Sequence, residues 1–177
     1  MLSLSEQFNN IVDYFKGKLI QIPPVAFDDF YIPANSRWFL ENIGLPMSIE
    51  FLYLDFCNHD VSDKLIINNR HFMILGDEDE YGAKICIEQS TGKMYSVETK
   101  DNRVNRFINT DVICFMQCMT SYMRIIPNII SKEYDLDAIA VVVNEIKCEI
   151  LAVDEKALED GENWWSVLLE QHEWGLM

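Results

Sequence analysis

Few residues in this chain have the type and spacing to do chemistry, and each set fails on closer reading. Cys57 and His59 stand two residues apart, and Cys114 and Cys118 lie one helical turn apart. These are side chains of the kind that surround zinc. Cys114 and Cys118, however, flank Phe115 and Met116 on what should be a buried face, so they read as core thiols. The run Asp77, Glu78, Asp79, Glu80 carries the charge for calcium. It lacks the alternating D-x-[DN]-x-[DN]-G pattern and the distant glutamate of an EF-hand loop. Four adjacent carboxylates point in different directions and belong in solvent, either as an ordinary charged hairpin loop or as an exposed anionic contact patch. No G-x-x-x-x-G-K-[ST], G-x-G-x-x-G or G-x-S-x-G string occurs, which excludes the usual phosphate cradles and the nucleophile elbow. The 29 acids allow many carboxylate pairs, and nothing singles one out for acid–base work. His59, His71 and His172 sit in no motif. The reading therefore assigns no catalytic residue, no metal ligand and no cofactor.

Without reactive machinery, the surface must carry the function. Fourteen basic against 29 acidic residues give a formal charge of −15. Such a field repels phosphates and disfavours direct contact with nucleic acid or an anionic membrane. It would draw in a basic protein and speed the encounter, although solubility alone accounts for it equally well. From residue 145 to 177 there are nine Asp/Glu and two Lys, a net of −7. Candidate contacts are Asp77, Glu78, Asp79 and Glu80 in the acidic turn, and Glu159, Asp160 and Glu162 near the C-terminus. Trp164 and Trp165 are adjacent and cannot share one helix face. One should pack inward, while the other covers a neighbouring element or lies exposed as an anchor. Trp38 and Phe39 read as core.

The elements that must position these groups follow from periodicity. Residues 3–14 read as a helix, with Ser3 and Glu6 at capping-box spacing and Leu4, Phe8, Ile11 and Phe15 at helical intervals; Gly17 ends it. Residues 21–33 hold three of the five prolines and read as an extended connector. A short helix over 36–43 closes at Gly44 and Pro46. Strands are predicted over 49–54, 72–75, 83–88 and 93–98, the last two joined by a compact turn at 89–92. Thr110 is placed to cap a helix with Val112, Phe115, Met116, Met119 and Met123 on one side, which Pro127 stops. Residues 135–151 predict a long helix, and a last helix starts near Asn163. Sequential, closely linked strands predict an α+β fold with a central antiparallel meander flanked by helices.

With 177 residues, 49% hydrophobic and 12% aromatic, the chain can fill one core without disulfides or metal, and it reads as a single domain over 1–177. Five cysteines without a C-x-x-C motif favour free thiols in a reducing compartment. The longest purely aliphatic stretch, 138–143, is six residues, far short of the ~20 a membrane helix needs. The N-terminus lacks the basic start and apolar run of a signal peptide. A cytoplasmic location is the expectation.

Four strings, in order, resemble the SUKH superfamily of Smi1/Knr4-like proteins, most closely its SUKH-4 branch of bacterial immunity proteins. Trp38-Phe-Leu-Glu-Asn-Ile-Gly-Leu-Pro46 is similar to the family's short helix ending in Gly-Leu-Pro. Ile74-Leu-Gly-Asp-Glu-Asp-Glu-Tyr-Gly82, with Ile85-Cys-Ile-Glu88 and Thr91-Gly92-Lys-Met-Tyr95, resembles its strand, acidic turn, strand, Thr-Gly turn and strand. Arg106-Phe-Ile-Asn-Thr-Asp111 resembles the family's start of a helix, although the branch more often has a serine pair where Thr110 stands. Val153-Asp-Glu-Lys-Ala-Leu158, with Trp164-Trp165 and Gly175-Leu176, resembles its closing segment. The resemblance is clearest over 36–177. It implies a non-enzymatic α+β protein that binds and neutralises a cognate toxin, often a nuclease or deaminase, and it transfers no site residues. A regulatory or scaffold protein of the same fold is the alternative.

Overall fold

The computed structural model describes residues 8–57, 63–78, 82–130 and 135–176. The Ser3–Glu6 capping pair, Leu4, His59, Asp79 and Glu80 lie outside them. Helix α1 (Asn9–Phe15) buries Ile11 and Phe15 and ends where Lys16 and Gly17 turn left-handed. Strand β1 (Leu19–Ile20) follows. The connector is not simply extended: Pro24–Phe27 closes a 3-10 turn, and Ile22, Phe27, Phe30 and Ile32 are all buried. Proline favours that start because its fixed φ suits the turn and it has no N–H to leave unpaired.

Helix α2 (Ala34–Asn42) begins directly after Pro33 and places Phe39 in the core, with Trp38 half-buried beside Phe8. It leads through Gly44 into β2 (Leu45–Pro46), which pairs antiparallel with β1. Gly44 has φ +91°, and a Cβ there would lie 2.1 Å from the Ile20 carbonyl oxygen. Only glycine lets β1 close over this turn.

The predicted strand over 49–54 is instead two short strands, β3 (Ser48–Ile49) and β4 (Leu54–Asp55), folded around a 3-10 turn at Glu50–Leu52. The run Ile49-Glu-Phe-Leu-Tyr-Leu is apolar at successive positions, so apolarity alone could not separate strand from tight turn. The main sheet runs β3-β4-β6-β7-β8-β9, with β6 (Arg70–Asp77), β7 (Ala83–Glu88), β8 (Met94–Glu98) and β9 (Arg103–Asn109); β5 (Lys64–Ile67) also pairs with β6. Every pairing is antiparallel, which makes the α+β meander a finding. Strands β5 and β9 have no counterpart in the sequence reading. The apolar residues of β9, Val104, Phe107 and Ile108, do not alternate, because irregularities interrupt its pairing with β8.

Alternation along the strands gives the sheet two apolar faces. Met73, Leu75, Ile85, Ile87, Met94 and Ile108 join the main core under the helices, while Phe72, Ile74, Cys86 and Val97 form a smaller cluster on the other side. Helix α3 (Val112–Ile125) contributes Val112, Phe115, Met116, Cys118, Met119 and Tyr122 to the main core. Its cap is Asp111, whose Oδ1 accepts from the Cys114 N–H at 2.8 Å, and not the expected Thr110. A helical turn, α4 (Pro127–Ile130), precedes α5 (Leu136–Val153), which buries Ile139, Val142, Val143, Ile146 and Ile150. A 3-10 turn at Glu155–Leu158 leads to α6 (Trp164–Glu173). Among the described residues no helix is long and apolar enough to cross a membrane.

Glycine positions test this packing. Gly44→Ala meets both a backbone clash and a positive φ, and should cost about 3 kcal/mol or prevent folding. Gly161→Ala has no atom within 4 Å of its new Cβ and should leave stability unchanged. Denaturant melts giving equal midpoints for the two variants would contradict the β1–α2 closure.

Candidate protein-interaction groove

Four elements meet on one buried carboxyl group. Asp154, the residue that ends α5, is buried, and its Oδ2 accepts from the Thr110 N–H at 2.7 Å, the Asn109 Nδ2 at 3.0 Å and the Thr110 hydroxyl at 3.1 Å. The Asn109 Oδ1 in turn accepts from the Trp165 Nε1 at 2.9 Å. Buried polar groups are costly unless paired, and here each donor finds an acceptor. The end of β9, the start of α3, the end of α5 and the first turn of α6 are thereby fixed together. Thr110 is thus an anchor for Asp154, which is why it is not free to cap α3.

Trp164 packs edge-to-face on Trp165, with ring centroids 4.9 Å apart, and its polar edge reaches the sheet's acidic turn. Its indole Nε1 donates to the Glu78 Oε1 at 2.7 Å, and the Glu78 Oε2 accepts from the Ser96 hydroxyl. Neither tryptophan is exposed: both belong to the main core, and Trp164 also covers Glu78 at the end of β6, so the exposed-anchor alternative fails. Beside this contact runs an open groove of about 350 Å³ lined by Leu52, Tyr53, Glu78, Arg106, Trp164, Val167, Leu168 and Gln171. Arg106 is its cation. Among the described residues its ion partner is Glu162, at 4.0 Å, and its Nε is buried without an acceptor. Tyr53 stands at the lip, 78% exposed, with a left-handed backbone at φ 54°.

The sequence-predicted contacts divide on this frame. Asp77 is half-buried and paired with Lys84, and Glu78 is half-buried and held by Trp164 and Ser96, so these two are tied into the fold as well as charged. Asp79 and Glu80 lie outside the described residues. Glu159, Asp160 and Glu162 are exposed on the turn leading into α6. That turn is ordered by its own bonds: the Asp160 Oδ1 accepts from the Glu162 N–H at 2.9 Å, and its carbonyl accepts from the Ser166 hydroxyl at 2.8 Å. Both acidic segments therefore reach the same groove, through Glu78 on one side and Glu162 on the other. Sequence reasoning missed Arg106 and Tyr53. Arg106 stood inside a quoted string, but its place on the helix-facing side of β9 needed the register that pairs it with Ser96.

Of the two cysteines read as core thiols, Cys118 is in the core and Cys114 is only half-buried, while Cys57 and Cys148 are exposed. Cys86 and Cys118 are fully buried, and burial pushes the half-buried Cys114 thiol up to about 12, so at neutral pH it holds its proton. Among the described residues no group of three or more His, Cys, Asp or Glu is placed to hold a metal ion.

The back of α6 carries a titratable group. His172 is buried, its Nε2 shares a 2.7 Å hydrogen bond with the Tyr122 hydroxyl, and its Nδ1 has no partner among the described residues. Its ring stacks at 4° and 6.1 Å on Phe51, in the turn that carries Leu52 and Tyr53. Both walls of the groove thus lean on one imidazole.

The sequence model of the SUKH-4 immunity protein family matches residues 12–171, and the chain belongs to that family. The match begins well before residue 36, so it takes in the second half of α1 and the proline-rich segment. No curated protein and no solved structure matches the chain.

Two outcomes follow from these contacts. Asp154→Ala leaves the Thr110 N–H and the Asn109 amide unpaired in the interior and should cost about 3–5 kcal/mol in denaturant unfolding. Glu155→Ala, next to it and exposed, should cost almost nothing, and equal losses would remove Asp154 from its central role. Burial holds the His172 imidazole below its ordinary range, so the unfolded chain takes up the proton first as pH falls. Its contribution is complete above about pH 6.5 and is lost as pH drops from there toward the folded-state value. The melting temperature should therefore fall more steeply between pH 7 and pH 5 for the parent than for His172→Gln; parallel slopes would contradict this.

Proposed function

We propose that this member of the SUKH-4 immunity protein family binds and neutralises a cognate bacterial toxin by protein–protein contact, through the groove and its acidic border. The observation that carries the reading is the convergence of Glu78 and Glu162, from the acidic turn and the C-terminal acidic segment, on one groove walled by Trp164, Val167 and Leu168. A toxin that acts on nucleic acid, as a nuclease or deaminase does, needs a basic cleft for phosphates. A surface of net charge −15 is steered to such a cleft and can occlude it. On this reading the whole chain acts as one domain in the cytoplasm, with no catalysis and no cofactor of its own. The charges of Asp77, Glu78, Asp79 and Glu80 add to the field, with Glu78 at the groove; Glu159, Asp160 and Glu162 supply exposed contacts at its other border.

The test is co-expression with the toxin encoded beside the gene, scored as survival and as co-purification of the two proteins. Rescue with a stable complex is the expected result; a chain that neither rescues nor binds that toxin, and binds an envelope or housekeeping protein instead, is a scaffold. Within a complex, the triple change Glu159→Gln, Asp160→Asn, Glu162→Gln should slow association roughly tenfold at low salt and flatten its salt dependence. These side chains are exposed, so the fold should hold. An unchanged association rate would take this segment out of the interface.

A further inference from the structure

The reading above leaves open what the groove itself holds, and three features of its lining bear on that. Among the described residues, Tyr53 is one of six non-glycine residues with positive φ and the only aromatic one; the others are Lys16, Asn68, Asn69, Ser90 and Asn102. Asparagine tolerates that region, and a bulky ring does not. The left-handed backbone is strained for such a residue, and an aromatic side chain left 78% in solvent recovers little of that cost within the monomer. The second feature is Arg106. Its partner Glu162 is 4.0 Å away on a side chain that is 89% exposed, so the guanidinium can turn toward a better acceptor without giving up a hydrogen bond. The third is the contrast between wall and border. The walls, Leu52, Trp164, Val167 and Leu168, are apolar, whereas the exposed residues next to them in sequence, Glu50, Glu159, Asp160, Glu162 and Glu170, are acidic.

Resting on the toxin-binding reading, we infer that the groove takes an extended loop of the toxin. The loop lays one apolar side chain between Tyr53 and the Trp164–Leu168 side of α6, and a main-chain carbonyl beside that side chain accepts from the Arg106 guanidinium. Basic residues flanking the insertion meet the acidic border, so the occupant is a loop of a cationic protein, not a free peptide acid. At about 350 Å³ the groove sits at the small end of ligand pockets, which suits one side chain with its backbone. Tyr53 is then the anchor that sets specificity. A ring exposed in the free protein and covered in the complex is the usual form of a binding hot spot.

Tyr53→Gly separates this role from a structural one, because glycine relieves the strained backbone while removing the ring. The probe is the catalytically inactivated toxin domain encoded beside the gene, titrated against purified full-length chain by calorimetry, with a melting temperature for each variant. Tyr53→Gly should melt at or above the parent and bind at least about tenfold more weakly. Arg106→Met, which keeps the length and loses the donors, should also bind at least about tenfold more weakly while staying folded. Tyr31→Ala removes a second exposed tyrosine, whose carbonyl accepts from Ser90 at the opposite end of β7, and should bind like the parent. If the parent binds and Tyr53→Gly binds within twofold of it, or loses affinity only in step with its melting temperature, the loop-insertion inference is overturned while toxin binding stands. If the parent itself does not bind, the toxin reading fails and this inference fails with it.

Discussion

The structure hangs on a buried carboxyl group that accepts three hydrogen bonds on a single oxygen. Asp154 ends α5, and by engaging Asn109 and Thr110 it fixes where β9 stops and α3 begins. Through Asn109 the same network reaches Trp165 and sets the rotation of α6. Neighbouring helix residues point about 100° apart. With Trp165 locked inward, Trp164 must face the sheet's acidic turn, where it meets Glu78. The groove is thus a by-product of satisfying buried polar groups: the hub turns α6, and α6 presents Trp164, Val167 and Leu168 to Arg106 and Tyr53.

The same logic explains which parts were legible in the sequence. Elements with one dominant period could be read directly. The long α5, the β7–β8 hairpin and the Gly-Leu-Pro exit from α2 all lie where local chemistry predicts. Strand β9 was hidden because its apolar residues, Val104, Phe107 and Ile108, do not alternate: two irregularities in its pairing with β8 break the period, and Arg106 and Asn109 serve the groove and the hub. The run from Ile49 to Leu54 misled for a different reason: five of its six residues are apolar, so neither period shows, and the tight turn it forms stacks Phe51 on His172 from a distant helix. The acidic residues were found and their setting was not. Composition marks Glu78 as a charge, but only the fold makes it the acceptor for an indole 86 positions away.

Electrostatics and packing divide the work between them. The charge of −15 gives reach and direction, acting over about a Debye length and weakening with salt. It does not by itself give a defined complex. On the proposed reading, definition comes from the small apolar groove, Arg106 and the strained Tyr53, which reward a partner of the right shape. The buried thiols and the neutral, enclosed His172 belong to the core and to the support of the groove walls.

The central claim is that this one face, and no other, is covered by the partner. Amide hydrogen exchange of the chain, free and bound to the inactivated toxin domain, tests it most directly. Protection gained on binding should fall at residues 50–54, 104–107 and 159–171, with α1, α2 and the 89–92 turn unchanged. Protection confined to the α1–α2 side, leaving those three segments exchanging as in the free protein, would contradict the account.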